Sequence, residues 1–248
     1  MKKAQTTMFI ILGIVLITVI VAGFFLKDAV FKSLNEAKIA KSVALQKQVK
    51  DVSIIVEDCL ESVTNEAAIN IFAKGGYYEI ENPILYTSYK IPIYYNKGKE
   101  NVPSLEDIEK EISKYVESKL QICTNNFPNL KFTVQSLKNP KTTIKIAKNL
   151  FVELEWSIRL GDNEQATISE FFQELELNLK DPYEKSIKLY EEQKNLDVIS
   201  LSDLAKLAKK EEYLLHFDFQ EGAILYILTF EEIPLTYTFS IIPKETAF

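Results

Sequence analysis

From Met8 to Leu26 the chain reads MFIILGIVLITVIVAGFFL, an apolar run interrupted only by Gly13, Thr18 and Gly23 and carrying no charge. A helix rises about 1.5 Å per residue, so such a run reaches about 30 Å, the thickness of a bilayer core. A cleavable secretory signal has a shorter apolar region, about 7–15 residues, closed by a small-x-small site. Ile20-Val21-Ala22 is a poor match to such a site. The run therefore predicts a retained transmembrane helix over residues 5–26, with the lipid bilayer as its partner. Lys2 and Lys3 precede the run, and Lys27, Lys32, Lys38 and Lys41 follow it. That balance does not favour a cytoplasmic N-terminus. The short basic N-terminus has the character of an export signal, and long domains cross membranes largely regardless of charge. The expectation is a single-pass protein of the cell membrane with an extracytoplasmic C-terminal domain.

All eight prolines lie at Pro83 or beyond, and only Gly13 and Gly23 precede Gly75. From Lys27 to Phe72 the chain has neither residue type. Val30, Leu34, Ala37, Val43, Val49, Val52, Val56, Leu60 and Val63 recur there at helical spacing. A stalk helix over 27–74 continuing the membrane helix is predicted, ending at Gly75-Gly76, where glycine accepts the left-handed conformation of a helix cap. A head domain over 75–248 follows.

Directly before the apolar run stands Lys2-Lys3-Ala4-Gln5-Thr6-Thr7. This resembles the leader of archaeal type IV pilin-like proteins. The resemblance implies a leader over residues 1–4, a membrane peptidase cutting between Ala4 and Gln5, and self-assembly of mature chains through the N-terminal helix into a surface filament. Bacterial-type pilins carry glutamate at the fifth mature position; here that position is Phe9. Further along, VEDCLESV, FAKGGYYEI, VPSLEDIEKEISKYVESKL and YLLHFDFQEGAILYILTFEE resemble membrane-anchored proteins of small-genome archaea, a group with no established activity to carry over.

The head reads as α+β: a single domain with an antiparallel sheet and flanking helices. Tyr77–Tyr95, rich in tyrosine, reads as short extended segments and loops. Pro103-Ser104 opens a helix in which Ser104 and Asp107 form a capping box and Leu105, Ile108, Ile112, Val116 and Leu120 form the buried face. From Leu130 to Lys180 the period changes to two, with Val152, Leu154, Trp156, Ile158 and Leu160 inward. A parity flip near Phe171-Phe172 suggests a bulge. Asp181-Pro182 reads as the capping and first positions of another helix, and a short helix is predicted over Ser202–Lys210. Strands around Glu221-Gly222 and a last strand through Leu235, Tyr237, Phe239 and Ile241 complete the head.

The chain carries 29 basic and 35 acidic residues, a net charge of −6. Lys2 and Lys3 are the only charges before Lys27, so the head is more acidic still. That sign repels nucleic acid, and no nucleic-acid partner is expected. Arg159 is the only arginine, which disfavours bidentate anion clamps. No nucleophile elbow, phosphate loop, HExxH or calcium-loop pattern occurs, and no catalytic, cofactor or metal site is assigned. His216 and Asp218 share the polar face of a strand, and Glu153/Glu155 and Glu174/Glu176 are strand carboxylate pairs. Solvated strand faces account for these acids more simply than chemistry does. Cys59 and Cys123 are candidates for a disulfide if the head lies outside the cytoplasm; two separate buried thiols are the alternative. Three functions compete: a pilin-like structural subunit, a non-polymerising surface protein whose head binds a partner or glycan, and an anchored hydrolase using the paired acids.

Overall fold

The structure is a computed structural model that describes residues 43–244, apart from 88, 125–126, 128–129, 162–164, 196–198 and 232. Residues from Asp51 onward form one compact unit; the residues before it belong to a separate one. The described residues before Asp51, 43–50, are helical. The expected fold class needs correction. Among the described residues no helix is long and apolar enough to cross a membrane. Met8–Leu26, the segment read as the membrane helix, lies outside the described residues. Within the described part the helix is amphipathic: Asp51, Glu57, Asp58, Glu61 and Glu66 interrupt its apolar positions. The single antiparallel sheet is also corrected: the α+β unit holds three sheets, one of them containing a parallel pair.

Helix α1 (residues 51–73) buries Val52, Val56, Leu60, Val63, Ala67, Ile71 and Phe72, whereas Val43 on the predicted stripe is exposed. It ends in a paired-bond cap. The Gly76 amide donates to the Ile71 carbonyl at 2.8 Å and the Gly75 amide to that of Phe72 at 2.9 Å. Gly75 has φ +59, and a Cβ there would lie 2.2 Å from the Thr238 carbonyl oxygen, so no other residue fits. Helix α2 (Leu105–Thr124) begins at the Ser104–Asp107 capping box. The Asp107 amide donates to Ser104 Oγ at 3.2 Å, and the Ser104 amide to Asp107 Oδ2 at 3.1 Å. The Ser104 hydroxyl and amide hold the Asp107 carboxyl below its ordinary pKa.

α1 and α2 run antiparallel. Cys59 bonds Cys123, the Tyr115 hydroxyl donates to Glu66, and beyond the end of α1 the Tyr78 amide donates to Glu111 at 2.9 Å. Seven residues along α1 from Cys59 to Glu66 correspond to eight back along α2 from Cys123 to Tyr115. At about 1.5 Å per residue both are close to two helical turns.

The four-stranded sheet is built on β7 (Leu150–Leu160), with β8 (Ala166–Leu175) on one edge and β6 (Lys141–Ile146) and β5 (Val134–Ser136) sharing the other. Every second residue of β7 from Leu150 to Leu160 is buried. The parity flip of β8 falls between Ile168 and Phe171, opposite a register shift between Glu155 and Ile158. The outer edge of β6 is covered by α2. Glu109 Oε1 accepts the Ile146 amide at 2.8 Å and Glu117 Oε1 accepts the Thr142 amide at 2.7 Å. Eight residues of helix advance about 12 Å and four residues of strand about 13 Å. The two carboxylates therefore match the two amides in spacing. Glu109 is only 6% exposed and also pairs with Lys145.

The five-stranded sheet has the order β4 (Lys99–Glu100), β3 (Ile93–Asn96), β11 (Leu235–Ile242), β10 (Ala223–Phe230), β9 (Leu214–Gln220). β3 and β11 are parallel and the rest antiparallel. A hairpin of β1 (Ile84–Tyr86) and β2 (Tyr89–Ile91) packs Ile84 and Ile91 against Ala223 and Leu225 of β10. An aromatic cluster forms around Phe239: Tyr94 and Tyr226 stack on it with centroids 5.2 and 5.0 Å away, and Tyr190 meets it edge-on. Burial pushes the Tyr94 and Tyr226 hydroxyls well up from their ordinary pKa. Tyr190 belongs to α3 (Lys180–Gln193), which starts earlier than the sequence suggested. Leu179 is its capping position, and Asn178 Oδ1 accepts the Asp181 amide at 3.3 Å. α4 (Leu201–Lys210) buries Leu204 and Leu207.

Glu109→Ala leaves the Ile146 amide buried without an acceptor, and the expected loss is about 1–3 kcal/mol of unfolding free energy. Lys145→Ala removes only an exposed partner of the same carboxylate, and its expected loss is under about 1 kcal/mol. Urea denaturation of the two variants distinguishes these outcomes.

Candidate functional site

Of the residues singled out from sequence, Ala4 and Gln5 lie outside the described residues. Cys59 and Cys123 are joined, with their Cα atoms 5.8 Å apart. Cys59 lies well inside α1, and Cys123 in the last turn of α2. Tyr115, two turns away, is the second tie between the helices. Its hydroxyl is pushed up to about 12, first by burial and then by its hydrogen bond to Glu66.

His216 and Asp218 lie on one face of β9, and the hairpin brings Tyr86 to them. The Tyr86 hydroxyl is 3.3 Å from His216 Nε2, and its pKa is raised by burial first and by Asp218 second. Sequence reasoning missed Tyr86, which is 130 residues from His216; only the packing of the hairpin on β10 unites them. Tyr86 also lines a groove of about 340 Å³. Tyr89, Ile69 and Ala73 of α1, Thr229 and Thr236 line it too. Tyr89 is 61% exposed. Aromatic faces beside hydroxyls can take a ligand that offers both an apolar face and hydrogen-bonding groups.

The carboxylate pairs are only partly assembled. Glu153 and Glu155 line a shallow cavity of about 440 Å³ on the sheet surface, and register places Glu170 directly opposite Glu155. Lys141 stands across from Glu155 on the other side. Glu174 instead accepts from Asn149 Nδ2 at 2.6 Å, and Glu176 lies past the end of β8. A further cavity, about 520 Å³, is lined by Tyr77, Glu79, Glu81, Glu111 and Lys114. The Tyr77 hydroxyl there is pushed up to about 12 by burial, then by Asp107 and Glu111. Glu111 raises the pKa of Lys114, its ion-pair partner. Among the described residues no group of three or more His, Cys, Asp or Glu side chains could hold a metal ion.

Glu109, Glu111 and Glu117 carry the main polar contacts of α2, and the sequence reading passed over them. One signal was present: Glu109 precedes Ile112 by three residues and Val116 by seven, so it lies on the apolar stripe. A carboxylate on a buried stripe requires a partner.

No family model matches the chain, and neither a curated protein nor a solved structure is similar to it at a significant level.

The Cys59–Cys123 bond closes a loop with a sequence separation of 64. On the chain-entropy account that closure stabilises the fold by about 4 kcal/mol. The Cys59→Ser/Cys123→Ser variant, and the wild type in excess reductant, should each lose about 4 kcal/mol of unfolding free energy, read as a lower denaturant midpoint. Matching midpoints for oxidised wild type and the double variant would contradict this.

Proposed function

We propose that this chain is an exported, pilin-like structural subunit, held at the cell membrane with its C-terminal domain outside the cytoplasm. The observation that carries the reading is the bond between Cys59 and Cys123. Such bonds persist where the surroundings are oxidising, as they are outside the cytoplasm. The leader-like Lys2-Lys3-Ala4-Gln5 and the apolar segment Met8–Leu26 support it from the other end of the chain. In this reading a leader peptidase cuts between Ala4 and Gln5. The apolar segment first contacts lipid and then the same segment of other subunits, exchanging one apolar environment for another. The acidic balance of the rest of the chain gives nucleic acid no part in it.

A second reading rests on the groove beside Tyr86 and Tyr89. In it the chain stays a non-polymerising surface protein, and the groove binds a partner or glycan through aromatic faces and threonine hydroxyls.

The N-terminus of the protein recovered from membranes or surface filaments separates the two. The pilin-like reading expects mature chains that begin at Gln5. Mature material that begins at an intact Met1 contradicts it and leaves the second reading.

A further inference from the structure

The groove beside Tyr86 and Tyr89 brings two pairs of side chains to one space. Tyr86 and Tyr89 face each other across the β1–β2 hairpin, so both rings stand on the same face of it. Thr229 and Thr236 face each other across β10 and β11, and Ile227 and Thr238 are the next pair on that face. Tyr89 is mostly exposed, while the Tyr86 hydroxyl is engaged beside His216 Nε2. The Thr238 hydroxyl donates to the Ala73 carbonyl at 2.7 Å. Among the described residues, the half-buried hydroxyls of Thr229 and Thr236 have no such partner.

These groups select a ligand class. At about 340 Å³ the groove has the volume of a small-ligand site. Of the described residues that line it, none carries a charge. An ionised ligand would lose water there and gain no counter-charge. A ligand without polar groups would cover the two threonine hydroxyls and leave them unpaired. A peptide segment would bring an amide and a carbonyl with every residue, more than two hydroxyls can satisfy. A pyranose sugar meets all three constraints. It is neutral, one face of its ring is carbon and hydrogen, and its rim carries hydroxyls that both donate and accept.

We propose that the groove binds a neutral pyranose sugar, with the carbon–hydrogen face of its ring on Tyr89 and hydroxyls of its rim bonded to Thr229 and Thr236. Ile84 and Ile91 pack the hairpin on β10, and Tyr86 meets His216 of β9, so the ring and the threonines are held together before a ligand arrives. The proposal rests on the second reading, in which the groove is a binding site, and names its ligand. It holds whether or not the chain polymerises.

The test uses the full chain in a zwitterionic detergent, because a sugar-headed detergent would itself compete. The probes are the methyl glycosides of glucose, galactose and mannose, followed by NMR of the side-chain methyl groups at positions 229 and 236. At least one probe should shift those signals saturably, and a methyl glucuronide, which carries a carboxylate, should shift neither. Tyr89→Phe keeps the ring and should bind within about twofold of the unsubstituted protein, whereas Tyr89→Ala should bind about tenfold more weakly. Thr229→Val/Thr236→Val keeps the shape, removes both hydroxyls and should also weaken binding about tenfold. Cyclohexanol is the apolar control. Shifts with cyclohexanol but with none of the three glycosides would overturn the sugar assignment while the groove stays a binding site. Shifts with neither would overturn the groove as a binding site as well. Glycoside binding indifferent to Tyr89→Ala, or equal binding of the glucuronide, would also overturn the proposal.

Discussion

Glu109 and Glu117 accept the outward amides of Ile146 and Thr142, and much of the unit depends on that match between a helix and a strand edge. A sheet edge buried against a helix leaves amides that need acceptors, and a helix offers none from its own backbone. Here side chains two helical turns apart supply them at the spacing of the strand. Glu111 does the same for the Tyr78 amide just past the cap of α1. The helix that covers β6 is therefore also the one that receives the chain leaving α1. The Cys59–Cys123 bond and the Tyr115–Glu66 hydrogen bond fix the relation of α1 and α2 at two further levels. The close approach of Gly75 to Thr238 then ties the end of α1 to β11.

The two larger sheets solve the edge problem differently. The four-stranded sheet relies on α2, a three-residue strand and a register shift. The five-stranded sheet closes one side with the two-residue β4; on the other, β9 has its Phe219 amide held by the Asp218 carboxylate. Its interior is aromatic, with Tyr94, Tyr190 and Tyr226 around Phe239. The proposed location outside the cytoplasm rests on the Cys59–Cys123 bond and not on this cluster.

Local features were legible in the sequence. The Ser104–Asp107 box, the glycine cap at Gly75-Gly76 and the alternation of β7 follow from residues close together in the chain or from strict parity. Non-local features were not legible. The parallel union of β3 with β11 joins segments well over a hundred residues apart, and nothing in either strand names the other. The meeting of Tyr86 with His216 is of the same kind. The start of α3 was misread because Asp181-Pro182 has the composition of a cap, while Asn178 provides the acceptor three residues before Asp181. Glu109 was overlooked because charge is ordinarily read as solvent exposure, although its place on the apolar stripe indicated otherwise.

The claim that α2 carboxylates hold the edge of β6 is tested most directly by native-state hydrogen exchange of that strand. If the claim is right, the outward amides of Thr142 and Ile146 exchange as slowly as the inward amides of Thr143 and Lys145, which face β7. Glu109→Ala then accelerates Ile146 selectively. Rapid exchange of Thr142 and Ile146 in the unsubstituted protein, at the rate of an open sheet edge, would contradict it.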